Sequence, residues 1–310
     1  MADSRVAILG ATGHVGRVLC AGLAGRFSVT LYARRPEAAL AFARSLSGDG
    51  RVHAKHISTL SEGRHDVVVN CIGIGDPAAV NSDPSLVYTV TQYSDDVAMS
   101  YLAAHPDARL INLSSGAAYC SDFSRPASAD TTSDIPANGL VVRHHYGLAK
   151  LASEGRHRAA TSAAIVDLRL FSLFSRFIDP RATYLMNDVV GCISSGDVLI
   201  TGPDDFWRDY VAPEDLASLV ARCIEAPAEN RAYDVYSLAP VRKFELLQEF
   251  STRFALAYRV DEVRGVAGDD QWKAAYYSLD HSAGSIGYTP TMTSLETLAE
   301  EVAAILGSVG

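Results

Sequence analysis

The segment Gly10-Ala11-Thr12-Gly13-His14-Val15-Gly16 constrains this chain more than any other. It follows an apolar run at 6–10 and opens onto residues 15–24, which can be helical. Glycines here permit a tight strand-to-helix turn and let an anion approach the N–H groups at a helix N-terminus. The spacing is G-x-x-G-x-x-G, not the G-x-G-x-x-G dinucleotide fingerprint. A tight connection without a ligand is the plainer alternative. Position favours the ligand, because the turn sits on the first strand–helix junction of a chain that goes on alternating. A nucleotide pyrophosphate binds at such a junction. On this reading Gly10, Thr12, Gly13, His14, Val15 and Gly16 contact a cofactor.

Strand-like runs at 28–33, 66–71, 109–113 and 164–171 alternate with helical stretches at 36–46, 86–104 and 146–160. Between them, 122–138 is rich in Ser, Asp, Pro and Thr and reads as a surface loop. After 171 the rhythm changes, with helices expected at 180–195, 213–225, 244–257 and 294–306, and strands at 198–201 and 233–237. The pattern predicts an α/β fold: a Rossmann-type doubly wound parallel sheet with a smaller C-terminal substrate-binding region. The nucleotide-binding domain spans 1–171, completed by part of 208–238, and 172–310 is mainly substrate-binding.

At 310 residues the chain suits one large domain or two unequal ones. Its net charge of −9 is spread without a basic block, which argues against a nucleic-acid groove. No apolar run is long enough to span a bilayer, so no membrane partner is expected. Met1-Ala2-Asp3-Ser4-Arg5 has none of the features of a signal peptide. The five cysteines are scattered, with no Cys-x-x-Cys. They read as reduced thiols in a cytoplasmic protein.

At the end of the second strand a carboxylate would select the ribose hydroxyl of NAD, and Arg the 2′-phosphate of NADP. Here the chain reads Ala33-Arg34-Arg35. Arg34 and Arg35 therefore favour NADP (NADPH) over NAD, the alternative being a solvated basic corner. Further along, Tyr146 and Lys150 are four apart, one turn of a helix. An ammonium beside a phenol favours the phenolate and suits the pair to acid–base work on a carbonyl or hydroxyl. The bland alternative is a half-buried Tyr with a snorkelling Lys.

These pieces together resemble the extended branch of the short-chain dehydrogenase/reductase superfamily, the NAD(P)-dependent nucleotide-sugar epimerases, dehydratases and ketoreductases. The likeness runs through the glycine turn, Asn70-Cys71-Ile72-Gly73, Leu113-Ser114-Ser115-Gly116-Ala117-Ala118-Tyr119, Tyr146-Gly147-Leu148-Ala149-Lys150, Leu168-Arg169-Leu170-Phe171 and Arg208-Asp209-Tyr210-Val211 with Asp215-Leu216-Ala217. It implies Tyr146 as general acid, Lys150 as its partner and a contact to the nicotinamide ribose, and Ser115 as the group that holds the reacting oxygen. It also implies cofactor contacts from Cys71, Ile72 and Gly73, with Arg208 on the diphosphate of a nucleotide-sugar and Asn187 in the substrate lining. A homodimer through the helices at 86–104 and 146–160 is expected on the same ground. Ser115 as a strand-end turn residue and Arg208 as a surface ion pair are the plainer alternatives.

The departures carry information too. Gly116-Ala117 stand where sugar-nucleotide dehydratases place an Asp-Glu pair, so dehydration lacks its acid and base. Thr91 replaces a frequent Asn, Cys120 replaces a frequent Gly, and no adenine-contacting Asp is evident around 53–58. His53, His56, His144 and His145 lack partners at zinc-ligand spacing, so no metal is expected. The sequence thus points to NADPH-dependent reduction of a keto group on a nucleotide-linked deoxy- or ketosugar. A nucleotide-sugar epimerase is the runner-up, and a non-catalytic NADP sensor the third reading.

Overall fold

Val6-Ala7-Ile8-Leu9 contains no polar side chain, and in the folded chain all four are fully buried. They form strand β1 (Arg5–Leu9), as expected of a parallel strand covered on both faces. The structure is a computed structural model describing residues 4–46, 52–261 and 273–307; Met1, Ala2 and Asp3 of the N-terminal reading lie outside them.

In chain order there follow α1 (His14–Leu23), β2 (Ser28–Ala33), α2 (Pro36–Leu46), β3 (Val52–His56), β4 (Val67–Asn70), α3 (Pro77–Ser82) and α4 (Pro84–Ala104). Next come β5 (Arg109–Ser115), α5 (Val142–Ala159), β6 (Ala164–Leu170), β7 (Ser172–Leu173), α6 (Leu185–Ser195), β8 (Val198–Thr201), β9 (Trp207–Arg208) and β10 (Tyr210–Val211). The chain continues through α7 (Pro213–Glu225), β11 (Asn230–Val235), β12 (Val241–Arg242), α8 (Lys243–Phe254), β13 (Ala257–Val260), β14 (Ala275–Tyr276) and α9 (Ser294–Gly307).

Seven strands make one sheet, β11-β6-β5-β4-β1-β2-β3, with every neighbouring pair parallel. The order reverses between β1 and β4. A crevice opens there beyond the C-terminal strand ends, where doubly wound sheets take their ligands. Alternate side chains of β1 serve different layers. Val6 and Ile8 join Leu19, Leu23, Leu216 and Val220 under α1 and α7, while Ala7 and Leu9 join Val68, Ala98 and Leu102 under α4. Each buried Leu or Ile of these layers contributes about 1.5–3 kcal/mol. Helices α1 and α7 approach so closely that a Cβ on Gly22 would run into that of Ala217. A third core, with Phe174, Met186, Val189, Leu247, Phe250 and Leu298, holds α6, α8 and α9 together.

The helix starts follow capping chemistry. Asp83 accepts the Ser85 N–H at 3.0 Å ahead of Pro84, and α7 opens on Pro213-Glu214-Asp215. Helix α5 is fixed more unusually. The fully buried His157 donates from Nε2 to Asp95 of α4 at 2.6 Å and from Nδ1 to Asp167 of β6 at 2.9 Å. Burial pulls its pKa down, but hydrogen bonds to the two carboxylates prevail and push it up to about 9.

Several sequence expectations shift. Strand β3 is additional to the expected strands, a half-exposed edge strand of composition Val-His-Ala-Lys-His that lacks a buried apolar run. Helix α5 starts at Val142, so it takes in both His144 and His145, and the Val141 N–H is met by His144 Nδ1 at 3.2 Å. Helix α6 starts at Leu185, because the Asp179–Arg181 ion pair and turn occupy the preceding segment. The last sheet strand is Asn230–Val235, set by its pairing with β6. Nor is 122–138 wholly a surface loop: Phe123 and Ala127 are buried, and Ala127 bridges to Ser278. Among the described residues no helix is long and apolar enough to cross a membrane, and no group of His, Cys, Asp or Glu is arranged to hold a metal ion.

Candidate active site

The glycine turn lies in the crevice at the sheet reversal. Gly10 takes φ +77°, a conformation glycine adopts freely. The N–H groups of Gly10 and Ala11 both donate to the Tyr32 carbonyl, at 3.0 and 3.3 Å, and Gly13 N–H returns to Gly10 O at 2.9 Å. A Cβ on Gly10 would come within 3.1 Å of the backbone at Cys71 and Ile72, and one on Gly16 would overlap the Gly10 carbonyl oxygen. Gly13 is the cap of α1 and offers no side chain to its first N–H groups. These point outward as an anion site, with the helix dipole behind them. Thr12 is half-buried and Val15 packs on the core. His14 Nε2 meets the Ser175 hydroxyl at 2.8 Å, and burial lowers its pKa to about 4, leaving it neutral.

Beside the turn, the exit of β4 carries Cys71, Ile72 and Gly73. The Ile72 N–H donates to Asn70 Oδ1 at 3.2 Å, and Asn70 Nδ2 in turn donates to Asn112 at 3.0 Å. Burial raises the Cys71 thiol pKa to about 12, which makes it a packing group rather than a nucleophile. Arg34 and Arg35 stand exposed at the end of β2, without an ion pair among the described residues. The place sought for an adenine-contacting Asp is held by His56. Its Nδ1 is occupied locally by the Ser58 N–H at 3.3 Å and the Ser58 hydroxyl at 2.8 Å. The cradle fits a dinucleotide: a left-handed glycine at 10 that a side chain would crowd, a glycine at 16 where one would collide with backbone, and an uncapped helix start. In a bound dinucleotide the turn would hold the pyrophosphate, Arg34 and Arg35 would border the ribose end, and Cys71–Gly73 would face the other half.

The catalytic candidates gather around the end of β5. Lys150 is buried, with Nζ donating to the Leu113 carbonyl at 3.0 Å and lying 6.0 Å from the Tyr146 ring centre. A Cβ on Gly73 would stand 3.7 Å from that Nζ, so the ammonium also faces the β4 exit. Tyr146 is half-buried at the start of α5. Next to it Gly147 lets the helix lie on the turn after β5, since a Cβ there would strike the Ala117 carbonyl. Ser115 is buried; its Oγ accepts the Ala117 N–H at 3.2 Å and lies 3.1 Å from the Tyr276 hydroxyl. A side chain at 116 would overlap the Phe171 ring. The absence of a carboxylate after Ser115 is therefore built into the packing.

Ser114 faces the other way and donates to Glu154 at 2.6 Å. Glu154 pairs with Arg169 at 2.6 Å, and Arg169 lies over the Tyr119 ring at 4.5 Å. Tyr119 donates to Asp234 at 2.8 Å, Ser278 donates to the same carboxylate, and burial raises the Asp234 pKa to about 6. This buried network clamps β5, α5, β6 and β11 behind the site. Arg208 does not lie at the surface, where the plainer alternative put it. It is buried over the Phe206 ring at 4.2 Å, with Nη1 donating to the Trp207 and Lys273 carbonyls at 2.7 Å each. It also lies 5.8 Å from the Tyr276 ring centre, which links it to Ser115. Asn187 donates to the Asp179 carbonyl at 2.8 Å, with its Oδ1 buried. A cavity of about 310 Å³ adjoins the start of α5, lined by Ala117, Cys120, Asp134, Arg143, His144 and Gly147 among others.

Sequence reasoning missed Tyr276, Ser175, Glu154 and Asp234. Only Glu154 had a readable signal, lying one turn beyond Lys150.

The family model described as the NAD dependent epimerase/dehydratase family matches residues 6–239. No curated protein matches the chain significantly by sequence. Among solved structures, the UDP-glucuronic acid 4-epimerase of Bacillus cereus, in complex with UDP-glucuronic acid and NAD, superposes with TM-score 0.81 at 17% identity, covering 98% of this chain and 99% of that one. The UDP-N-acetylglucosamine 4-epimerase of Methanobrevibacter ruminantium, in complex with UDP-N-acetylmuramic acid, gives 0.81 at 15% over 99% and 100%. The UDP-glucose 4-epimerase of Bifidobacterium longum, in complex with NAD+ and UDP, gives 0.79 at 18% over 98% of each chain.

Proposed function

The chain belongs to the NAD dependent epimerase/dehydratase family, and from that premise we propose that it epimerises a nucleotide-linked sugar, a uridine-diphosphate hexose inverted at C4. One observation supports the proposal: Lys150 Nζ lies 6.0 Å from the Tyr146 ring centre and donates to the carbonyl of Leu113, two residues before Ser115, with no room for a carboxylate at 116. What supports epimerisation over reduction is that fold neighbours hold NAD together with UDP or a UDP-sugar. This reverses the order of the two readings taken from the sequence.

The residues divide the work. A bound nicotinamide supplies reversible hydride transfer. Tyr146 takes the proton of the sugar hydroxyl as the carbonyl forms and returns it when the alcohol is restored. The Lys150 charge stabilises the phenolate form in which Tyr146 accepts that proton. Ser115 donates to the same sugar oxygen and holds it in register. Arg208 and Asn187 belong to the substrate side, Arg208 toward the diphosphate. Gly116 excludes a second acid, so elimination of water is not served.

Arg34 and Arg35 sustain a second reading, NADPH-dependent reduction of a ketosugar, because a 2′-phosphate matches an arginine pair. Purified protein is given UDP-glucose, UDP-glucuronic acid or UDP-N-acetylglucosamine with catalytic dinucleotide, and the sugars are separated by chromatography. Epimers accumulating without net change in reduced-nicotinamide absorbance are the expected result. Stoichiometric NADPH consumption with a UDP-ketosugar, and no epimer, would replace it by the second reading.

A further inference from the structure

Tyr276 reaches Ser115 from the C-terminal region, on a strand of two residues. Strand β14 lies parallel to β9, with Tyr276 in register with Arg208. Its backbone is tied to the segment after β5 by Ala275 N–H to Phe123 O and Ala127 N–H to Tyr277 O, both 2.8 Å. Two residues on, Ser278 donates to the buried Asp234. The Tyr276 ring sits edge-on to Phe123 at 4.8 Å and tilted against Phe171 at 5.1 Å. Such a ring has no freedom to swing, and its hydroxyl is held 3.1 Å from Ser115 Oγ.

A serine hydroxyl has one proton and two acceptor lone pairs. The Ala117 N–H already fills one lone pair of Ser115. If Tyr276 donates to the other, the Ser115 proton is the one element left over for a substrate oxygen. If the bond runs the other way, Ser115 spends its proton on Tyr276 and has none for a substrate oxygen. Burial raises the Tyr276 pKa well above the ordinary phenol value, so the proton needed for donation stays in place.

We propose that Tyr276 is a positioning residue: its hydroxyl donates to Ser115 and turns the Ser115 proton toward the reacting sugar oxygen. The role in turnover rests on the reading of Ser115 given above; the direction of the hydrogen bond does not. Tyr276→Phe removes one oxygen and keeps the packed ring. The Raman difference spectrum of wild type minus Tyr276→Phe isolates the tyrosine doublet of this residue, whose intensity ratio distinguishes a donating from an accepting phenol. A donor ratio that is lost in Ser115→Ala is expected; an acceptor ratio overturns the proposal without any substrate. In the holoenzyme, Tyr276→Phe lowers kcat by about 10- to 100-fold with KM unchanged. The double variant Ser115→Ala/Tyr276→Phe is no slower than Ser115→Ala alone. Losses that multiply in the double variant would mean Tyr276 acts independently of Ser115, and would overturn the proposal. A wild type that converts no sugar counts against the proposed function, while the doublet still decides the bond.

Discussion

At the level of single residues, the local backbone is what the sequence wrote most plainly. Gly10 and Gly16 were legible because the turn they make depends on their own missing side chains, and a Cβ at either place meets backbone within a few residues or across one strand. Tyr276 was illegible for the opposite reason. Its partner lies 161 positions away, and a Tyr on a two-residue strand has no periodicity to betray it. Arg34 and Arg35 fall between these cases: their place at the end of β2 was readable, but their chemistry depends on a ligand. Replacing both by Ala raises the Kd for NADP by about 10- to 100-fold and leaves that for NAD within about twofold, as expected for the loss of one charged bidentate contact. Fluorescence titration of the two dinucleotides measures it. Equal changes for both would make the pair a solvated corner.

Among the elements, α5 shows how buried polar groups organise a helix that carries the proposed catalytic residues. It places Tyr146 and Lys150 on the site, Glu154 on the Ser114–Arg169 network, and His157 between Asp95 and Asp167. The sequence marked the helix but not this load, because a His and a Glu at helical spacing look like a solvated face until the facing strands are known. The His157 pKa stands at about 9 in the folded chain, above the value of about 6.5 for an unfolded histidine. A group held more tightly protonated in the fold stabilises fully below its unfolded pKa and loses that contribution as pH rises through the folded one. Wild-type melting temperature should therefore fall between about pH 6.5 and 9, and His157→Gln should melt lower with a flatter profile across that window. Breaking a buried pair costs about 3–5 kcal/mol. Scanning calorimetry at stepped pH checks this; a wild-type profile flat to pH 10 would contradict it.

For the whole molecule, the alternation of apolar runs and helices announced the doubly wound sheet, since each buried strand needs a nearly unbroken apolar stretch. Strand β3 escaped because an edge strand tolerates polar residues along most of its length. The C-terminal region escaped in more detail, being built from strands of two residues that exist only through pairing across long loops. Those short ladders nevertheless bring Arg208 and Tyr276 back to the end of β5, where the seven-stranded sheet presents Ser115. On the proposed function, this junction inverts a sugar carbon by hydride transfer. UDP-glucose carrying deuterium at C4, followed by NMR in ordinary water, tests it most directly. Hydride removed and restored at the same carbon predicts UDP-galactose with the deuterium retained at C4, and conversion slowed by at least about 100-fold in Tyr146→Phe. Product that has exchanged its deuterium for solvent hydrogen, or equal rates in Tyr146→Phe, would contradict the account.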